Sequence, residues 1–264
     1  MLARGLVACS ILLASLAIFR RDLLRVRWRD IPYFAAMGFV TVTLVFSFYA
    51  YAITMVGVSI AAVLQYTAPV FVTIIAWRAF HEPLDRVKLV ALALSLAGVV
   101  LIARLYAPGD VRFHPAGLAA GLFTGLCFGL YSIFNKRAVA RYSAWTVTTY
   151  NLCFGMFFVA LFQFPTMLRE VGAAPQTWPY IVGMAIGPTV LAHGLYVSGL
   201  AHVPASNASI LATWEPATAM ILAYLILGER LDTLQLLGAA AIVLGVILLG
   251  RTANGNRNGN GKKP

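Results

Sequence analysis

The chain has 264 residues, of which 61% are hydrophobic and 11% are charged, and its mean hydropathy is +0.83, whereas soluble domains are about half apolar and a quarter charged. Because about 20 apolar residues cross a bilayer as a helix, the chain has room for about nine or ten spans and little else. This excludes a soluble enzyme and a large extramembrane domain, and the long, continuous apolar runs exclude an outer-membrane β-barrel.

The net charge of +11 indicates basic loops on one side of a membrane rather than a nucleic-acid-binding surface. The three cysteines lie in apolar runs and form no CxxC pair, so we expect neither a metal site nor a disulfide framework. The sequence contains no GxxxxGK[ST] phosphate loop, and we expect no cofactor.

In chain order, the apolar runs predict nine membrane-spanning helices, labelled A to I. They are A, Leu2–Phe19; B, Ile31–Ile53; C, Ser59–Phe80; D, Lys88–Tyr106; E, Ala116–Asn135; F, Ala144–Phe164; G, Trp178–Leu200; H, Ser206–Leu227; and I, Leu234–Gly250. Run A ends at Arg20 without a small-residue cleavage site, so we interpret it as a span rather than as a signal peptide. The Asn- and Gly-rich tail, residues 251–264, is expected to be disordered.

The basic residues predict how these spans are oriented. Fifteen of the 20 Lys and Arg residues fall on one side if the spans alternate, in the A–B, C–D and E–F connections and in the tail. Since basic residues mark the cytoplasmic side, the C-terminus is expected in the cytoplasm and Met1 outside. A chain that starts outside without a preceding span or signal indicates that one helix is missing before Met1.

The chain contains an internal repeat. A shift of 147 positions aligns Pro69 with Pro216, Glu82 with Glu229, Asp85 with Asp232, Gly98 with Gly245 and Arg104 with Arg251. Spans B–D therefore match G–I and span A matches F, while E has no partner in the first half. Units with an odd number of spans cross the bilayer in opposite senses, so we expect an inverted repeat of two five-helix units. The first repeat, residues 1–106, lacks its first helix, and the second comprises residues 116–250, so that nine of ten helices are present.

Two matching segments hold the most specific residues of this repeat. The first reads AAVLQYTAPVFVTIIAWRAFHEPLD and the second reads ASILATWEPATAMILAYLILGERLD, each with small residues, a mid-helix proline and a glutamate 13 residues later, before a helix that contains glycine. This pattern resembles the EamA-type unit of the drug/metabolite transporter superfamily. The resemblance implies an all-α integral membrane carrier of ten helices, which moves small organic metabolites, often outward, by alternating access and without binding ATP.

We therefore expect a secondary transporter, most often an exporter, of amino acids or related zwitterionic or cationic compounds in the bacterial inner membrane. Its partners would be a small-molecule substrate, the lipid bilayer and protons as a coupling ion, with monomer and homodimer both open. One alternative is a non-transporting or partner-dependent membrane protein of the same fold. Another is a membrane-embedded enzyme, but the spans contain no HExxH or GxSxG motif, so no catalytic residue is assigned.

Glu215 and two prolines are the sharpest candidates for function. An ionised carboxylate inside a span is expensive unless it is paired or faces a wet cavity. Glu215 is therefore expected either to contact a substrate amine or a coupling proton, or to be a structural carboxylate bonded to neighbouring helices. Pro69 and Pro216 each remove one helical hydrogen bond, which predicts kinks near the midplane that act as hinges or remain fixed bends.

The other candidates are polar or aromatic residues within spans. Thr189, His193 and Tyr196 lie at helical spacing on one face of G, which predicts a stripe along a substrate pathway. An aromatic wall with an amide suits a flat or zwitterionic solute, and the further candidates for such a lining are Gln65, Tyr66, Trp214, Tyr131 and Asn151. For each of these residues, packing between helices is the alternative interpretation.

Several residues are expected to be structural. Glycines recur every four positions along E and predict close packing of that helix face, at Gly117, Gly121, Gly125 and Gly129. Asp85 and Asp232 are placed to N-cap D and I, the second in a capping box with Gln235. Glu82 and Glu229 follow the ends of C and H, where we expect structural helix ends or gates.

Overall fold

The computed structural model of the chain describes residues 2–106, 114–172, 175–228 and 230–260, and within these ranges it forms helices and no strand. The helices followed there are α1, Leu2–Phe19; α2, Trp28–Val56; α3, Val58–Phe80; α4, Arg86–Ile102; α5, Pro115–Ala138; α6, Ala144–Gly172; α7, Trp178–Leu200; α8, Ala205–Leu227; and α9, Thr233–Asn260. All of these helices except α4 provide spans long and apolar enough to cross a membrane, and the 17 residues of α4 are at the lower limit for a span. The predicted all-α membrane fold is confirmed.

Three helix ends differ from the predicted boundaries by four residues or more. Helix α6 continues to Gly172, eight residues beyond the predicted end of F. Helix α4 ends at Ile102, four residues before the predicted end, because Arg104 takes a left-handed conformation with φ of 56°. Two residues later, the Tyr106 hydroxyl donates a 2.5 Å hydrogen bond to Asp232, which holds the chain outside the helix. Helix α9 continues to Asn260, within the segment for which the sequence predicts disorder. Residues 261–264 and Glu229 lie outside the described residues.

Side chains cap the helices where the sequence predicts it. The Asp85 carboxylate accepts a hydrogen bond from the backbone N–H three residues later, at 2.7 Å. Asp232 accepts from the Gln235 N–H at 2.8 Å and Gln235 accepts from the Asp232 N–H at 3.2 Å, so the capping box is confirmed. Helices α3 and α8 end at His81 and Gly228, which have φ of 54° and 69°. These left-handed ends occupy the same position in the two repeats.

Four of the helices are irregular within the span. Helices α2 and α7 contain π-helical segments, Phe39–Leu44 and Ala185–Leu191. Helix α3 breaks between Val58–Gln65 and Ala68–Phe80, and α8 breaks between Ala205–Ala212 and Trp214–Leu222. The π-helical segments of α2 and α7 and the breaks of α3 and α8 recur at nearly the same places after the shift of 147 residues, whereas a third π-helical segment, Ala223–Leu227 of α8, has no counterpart in α3. Interrupted helices are frequent at functional positions of membrane carriers.

The chain divides into two compact units. Unit 1 comprises Met1–Ser47 and Leu130–Val203, and unit 2 comprises Phe48–Gly129 and Pro204–Pro264. Each unit therefore combines a part of the first half of the sequence with a part of the second half.

Unit 1 has an apolar core to which α1, α2, α6 and α7 contribute. Phe34, Met37, Val147 and Val197 are completely buried there. Glycine permits the closest approach, since a Cβ at Gly38 would lie 2.5 Å from the backbone of α6. Burial of such side chains contributes about 1.5–3 kcal/mol each relative to an aqueous reference, although in a bilayer close packing matters more than removal from water.

Unit 2 is assembled through glycine faces. A Cβ at Gly98 on α4 would lie 2.5 Å from the Gly238 carbonyl oxygen on α9, so these two helices touch through their backbones. The predicted glycine face of E is also confirmed on α5, where added Cβ atoms would meet α2 or α3 within 3.1 Å at all four positions, Gly117, Gly121, Gly125 and Gly129. Small residues of this kind let membrane helices pack closely.

Candidate functional site

The break in α8 places a carboxylate at the centre of a span. Helix α8 ends its first segment at Ala212 and restarts at Trp214, directly before Glu215 and Pro216. The Thr213 hydroxyl at the break donates to the Ile210 carbonyl oxygen at 2.6 Å. Pro216 lies in the first turn of the new segment, where a proline needs no helical hydrogen-bond donor. Because Pro216 has no N–H, it leaves the Ala212 carbonyl oxygen without its helical donor at this break.

The break in α3 follows the same design. Thr67 donates through its hydroxyl to the Leu64 carbonyl oxygen at 2.6 Å, and Pro69 lies in the first turn of the segment that begins at Ala68. The break lies against Gly125 of α5, where an added Cβ would be 3.4 Å from the Gln65 carbonyl oxygen. This is the carbonyl that Pro69 leaves without its helical donor.

Glu215 is grouped with tyrosines within unit 2. It is the eleventh residue of the 23-residue span Ala205–Leu227, and its side chain is exposed. The phenol groups of Tyr66 on α3 and Tyr49 on α2 both interact electrostatically with this carboxylate, Tyr66 more strongly. Trp214 beside it is 42% exposed. A carboxylate at mid-span, open on one side and lined by phenol groups on the other, can receive a cationic group or a proton.

A second polar group lies in unit 1 on α5 and α7. The Tyr131 ring contacts His193 edge-on at 5.7 Å between centroids and stacks on Tyr196 at 5.8 Å. The Tyr196 hydroxyl lies 2.7 Å from that of Ser132. His193 itself is exposed, and its ring interacts with the backbone of Pro188 in the π-helical segment. The structure thus brings together three of the candidate residues, Tyr131, His193 and Tyr196.

Two further candidates serve contacts inside unit 1. Thr189 is buried, and its hydroxyl donates to the Met184 carbonyl oxygen at 3.0 Å, so this group is used within α7. Asn151 of α6 is also buried, with its side-chain oxygen 3.0 Å from the Thr41 hydroxyl in the π-helical segment of α2. Both residues hold irregular helix segments in place.

Sequence reasoning missed several of these groups. Tyr49, Ser132 and Thr41 were not selected, although they complete the surroundings of Glu215, Tyr196 and Asn151. The only sequence signal for these three residues is a polar side chain within an apolar span, and many other residues of the spans share it. Among the described residues no three His, Cys, Asp or Glu side chains come together to hold a metal ion.

The fold and these groups define a multi-pass membrane protein whose interrupted helices present polar side chains at mid-span, which is the construction of secondary carriers. The EamA-like transporter family matches residues 1–104 and 115–251, and the chain belongs to this family. Family and fold indicate a transporter of small molecules in a membrane rather than an enzyme.

Individual relatives agree with this assignment. The chain is 33% identical over 217 residues to an uncharacterized transporter of Archaeoglobus fulgidus, covering 82% of this chain and 74% of that protein. It is 29% identical over 195 residues to the threonine/homoserine exporter RhtA of Escherichia coli K12, covering 73% of this chain and 62% of that protein. One solved crystal structure of a protein superposes with a TM-score of 0.78 at 18% identity, covering 96% of this chain and 86% of that one. At this identity the superposition supports the fold alone.

Proposed function

We propose that this chain is a secondary transporter that exports amino acids or related zwitterionic or cationic metabolites across the bacterial inner membrane by alternating access. The observation on which this rests is the exposed carboxylate of Glu215 at the centre of α8, beside Tyr66 and Trp214. The export of threonine and homoserine by the relative RhtA, as its name states, supports the amino-acid class and the outward direction.

The chemistry of Glu215 favours a substrate with a positive group. A charged side chain facing hydrocarbon at mid-span would cost about 2.5–3.5 kcal/mol or more, so the exposed side of this carboxylate is expected to face water or substrate. A substrate ammonium group can replace that water through a charge-assisted hydrogen bond. The rings of Tyr66 and Trp214 add cation–π attraction of about 0.5–2 kcal/mol. Gln65 is proposed to line the same region.

We propose that the second group contributes to the pathway through His193, Tyr196 and Tyr131, with Thr189 and Asn151 holding the helices that carry them. Pro69 and Pro216 are proposed as hinges, since each restarts a helix next to a threonine-stabilised break. The proposed repeats, residues 1–106 and 116–250, are supported by the two segments of the family match and by the recurring breaks and helix ends. The cytoplasmic C-terminus, including the tail 251–264, follows from the distribution of basic residues.

Counterflow in proteoliposomes tests this proposal. Liposomes loaded with unlabelled threonine, homoserine, other amino acids or a cationic compound should take up the labelled compound faster than empty liposomes. Glu215→Gln removes the charge but keeps the size, and the loss of one hydrogen bond to a charged partner, about 1.5–3 kcal/mol, should lower apparent substrate affinity about 10- to 100-fold. The matched control is Asp22→Asn, an exposed carboxylate in the α1–α2 connection, which should behave as the wild type.

Several results would count against parts of the proposal. Counterflow with none of these compounds, for a chain shown to be folded, would reject the proposed substrate class. Unchanged affinity of Glu215→Gln would remove Glu215 from the binding site. Proton coupling through Glu215 predicts that a pH gradient drives transport by the wild type and not by Glu215→Gln. Equal pH dependence of the two proteins would reject proton coupling through this residue.

A further inference from the structure

A cavity lies at one end of unit 1, where the α1–α2 and α5–α6 connections meet. The α1–α2 connection is tied to the start of α6 by hydrogen bonds from the Thr146 hydroxyl to the Leu23 carbonyl oxygen, at 2.7 Å, and from the Tyr150 hydroxyl to the Leu24 carbonyl oxygen, at 2.8 Å. The cavity has a volume of about 390 Å³ and is lined by Asp30, Tyr33, Phe34, Phe134, Arg137, Ala138, Arg141 and Tyr142. Both connections are on the side that the basic residues assign to the cytoplasm.

The walls of this cavity are fixed by aromatic contacts. Phe34 is completely buried and meets the rings of Tyr33 and Tyr142 at centroid distances of 5.8 and 5.5 Å. Tyr33 in turn contacts Phe134 edge-on at 5.6 Å. Edge-to-face arrangements of this kind are the favoured geometry of aromatic pairs. The cavity is therefore a formed feature of the folded unit rather than a gap between mobile side chains.

The neutral and acidic polar groups of the lining are already paired. The Tyr33 hydroxyl donates to the Phe134 carbonyl oxygen at 2.7 Å, and the Tyr142 hydroxyl donates to Asp30 at 2.5 Å. The Arg27 N–H donates to the Tyr142 oxygen at 3.3 Å. Burial, together with the bond to Asp30, raises the pKa of Tyr142 above its ordinary value, which keeps its proton available for that carboxylate.

The two arginines of the lining differ from these groups. Among the residues that the structure describes, the side chain of neither Arg137 nor Arg141 makes a hydrogen bond or an ion pair, and both residues are exposed. Arg137 lies in the last turn of α5 and Arg141 lies in the turn that follows the helix, and two like charges that line one cavity repel each other. A guanidinium offers a rigid fork of donors that matches a phosphate oxygen pair. The cavity is thus lined by two guanidinium groups without a hydrogen-bond partner among the described residues and by aromatic rings.

We infer that this cavity binds a phosphate-bearing anion, and that the anion is the headgroup phosphate of an anionic phospholipid. The surrounding surface indicates the lipid source, because Trp28 beside Asp30 is 87% exposed and Phe19 at the end of α1 is 78% exposed, as expected of residues at the membrane interface. Basic cavities between membrane helices on the cytoplasmic side are suited to anionic headgroups. The volume lies within the range of small-molecule sites. This site is separate from the proposed transport function and does not depend on it.

Lipid binding to the full chain tests the inference. Native mass spectrometry of the detergent-solubilised protein titrated with phosphatidylglycerol or phosphatidylcholine measures binding, and thermal unfolding in vesicles of each lipid measures stabilisation. The variant Arg137→Gln/Arg141→Gln should bind phosphatidylglycerol at least about tenfold more weakly than the wild type, since it loses hydrogen bonds to a charged group. The matched control, Arg25→Gln/Arg29→Gln, removes the same charge from two exposed arginines, one before α2 and one in its first turn, that do not line the cavity, and it should bind like the wild type.

A lysine variant and a titration with inorganic phosphate distinguish the remaining explanations. Arg137→Lys/Arg141→Lys keeps the charge but not the guanidinium fork, and should bind with intermediate affinity, which also guards against a variant that fails to fold. Inorganic phosphate is titrated in place of lipid. If phosphate stabilises the wild type through the same arginines and phosphatidylglycerol does not, the lipid source is rejected. If the two glutamine variants bind phosphatidylglycerol equally well or equally poorly, the arginine cavity is not the site and the inference is overturned.

Discussion

We predict that Glu82 stabilises unit 2 more than Asp85, Glu215 or Asp232, the other carboxylates of this unit whose contacts are given above. The residue is 8% exposed, and its carboxylate accepts hydrogen bonds from the Ala205 N–H at 2.6 Å, the Ser206 N–H at 3.1 Å and the Ser206 hydroxyl. It therefore provides acceptors for the first amides of α8, which have no partner within that helix. Lys88, which is 4% exposed, lies 4.0 Å from the carboxylate and donates to the Ser206 hydroxyl oxygen at 2.9 Å.

Replacing Glu82 by alanine should be strongly destabilising. The change leaves the buried Lys88 ammonium without its counter-charge and two helix amides without acceptors. Removal of one partner of a buried pair costs about 3–5 kcal/mol, which we expect as the loss in free energy of unfolding. Ser206→Ala removes a hydroxyl bonded to both Lys88 and Glu82, but it leaves the opposite charges together and the carboxylate with both amides. It should therefore cost less, about 1.5–3 kcal/mol.

A double-mutant cycle separates this explanation from general disruption. Lys88→Met in the Glu82→Ala background removes the unpaired charge, and the double variant should therefore be more stable than the sum of the two single losses predicts, by about 0.5–3 kcal/mol. Unfolding in mixed detergent micelles, followed by tryptophan fluorescence, gives the free energies. A loss below about 1 kcal/mol for Glu82→Ala, or strict additivity in the cycle, would refute the reasoning.

Two other consequences follow from local geometry. Gly125→Ala should lower the free energy of unfolding by about 1–3 kcal/mol, because its Cβ would lie 2.5 Å from the Thr67 hydroxyl. The control Gly183→Ala meets no atom within 4 Å and should be neutral or slightly stabilising. Equal effects of the two variants in the same unfolding assay would show that the glycine face of α5 is not tightly packed. The hydrogen bond from Tyr106 lowers the pKa of Asp232 below its ordinary value of 3.8, so its contribution to stability is complete above that pH and is lost as the pH falls through the lower folded value. Thermal unfolding between neutral and acidic pH should show this loss in the wild type, less of it in Tyr106→Phe and none of it in Asp232→Asn; identical pH profiles would contradict the assignment.

The sequence predicted what depends on local pattern. Long apolar runs located the helices, and Asp85 and Asp232 were recognised as caps because capping uses residues three positions apart. The kinks were expected from Pro69 and Pro216, and the breaks lie within three residues before them. The glycine face of α5 was predicted by its spacing of four, since such spacing places small residues on one side of a helix.

What the sequence could not predict depends on packing over long distances in the chain. The π-helical segment Phe39–Leu44 contains no proline or glycine, and its extra residue is accommodated against α6, where Thr43 donates to the Gly155 carbonyl oxygen at 3.1 Å. Glu82 was expected to be a structural end or a gate, but its partners at the start of α8 are more than 120 residues away in the chain. The early end of α4 has the same kind of cause, because the Tyr106 hydroxyl donates a hydrogen bond to Asp232, the N-cap of α9, which is 126 residues away in the chain.

The positions that recur between the repeats concern backbone shape, whereas the positions that differ concern chemistry. Helix breaks, the π-helical segments of α2 and α7, and left-handed helix ends each occur twice, about 147 residues apart. Glu215, by contrast, corresponds to Ala68, and Pro188 in the second π-helical segment corresponds to Thr41 in the first. A carrier needs bending elements in both halves if both ends of its pathway are to open and close. A single carboxylate is enough to recognise one cationic group. A second carboxylate at mid-span would add like-charge repulsion and another costly charge within the membrane. We therefore infer that, under the proposed function, the duplicated backbone features provide movement, while the carboxylate proposed to recognise the substrate lies in the second half of the sequence.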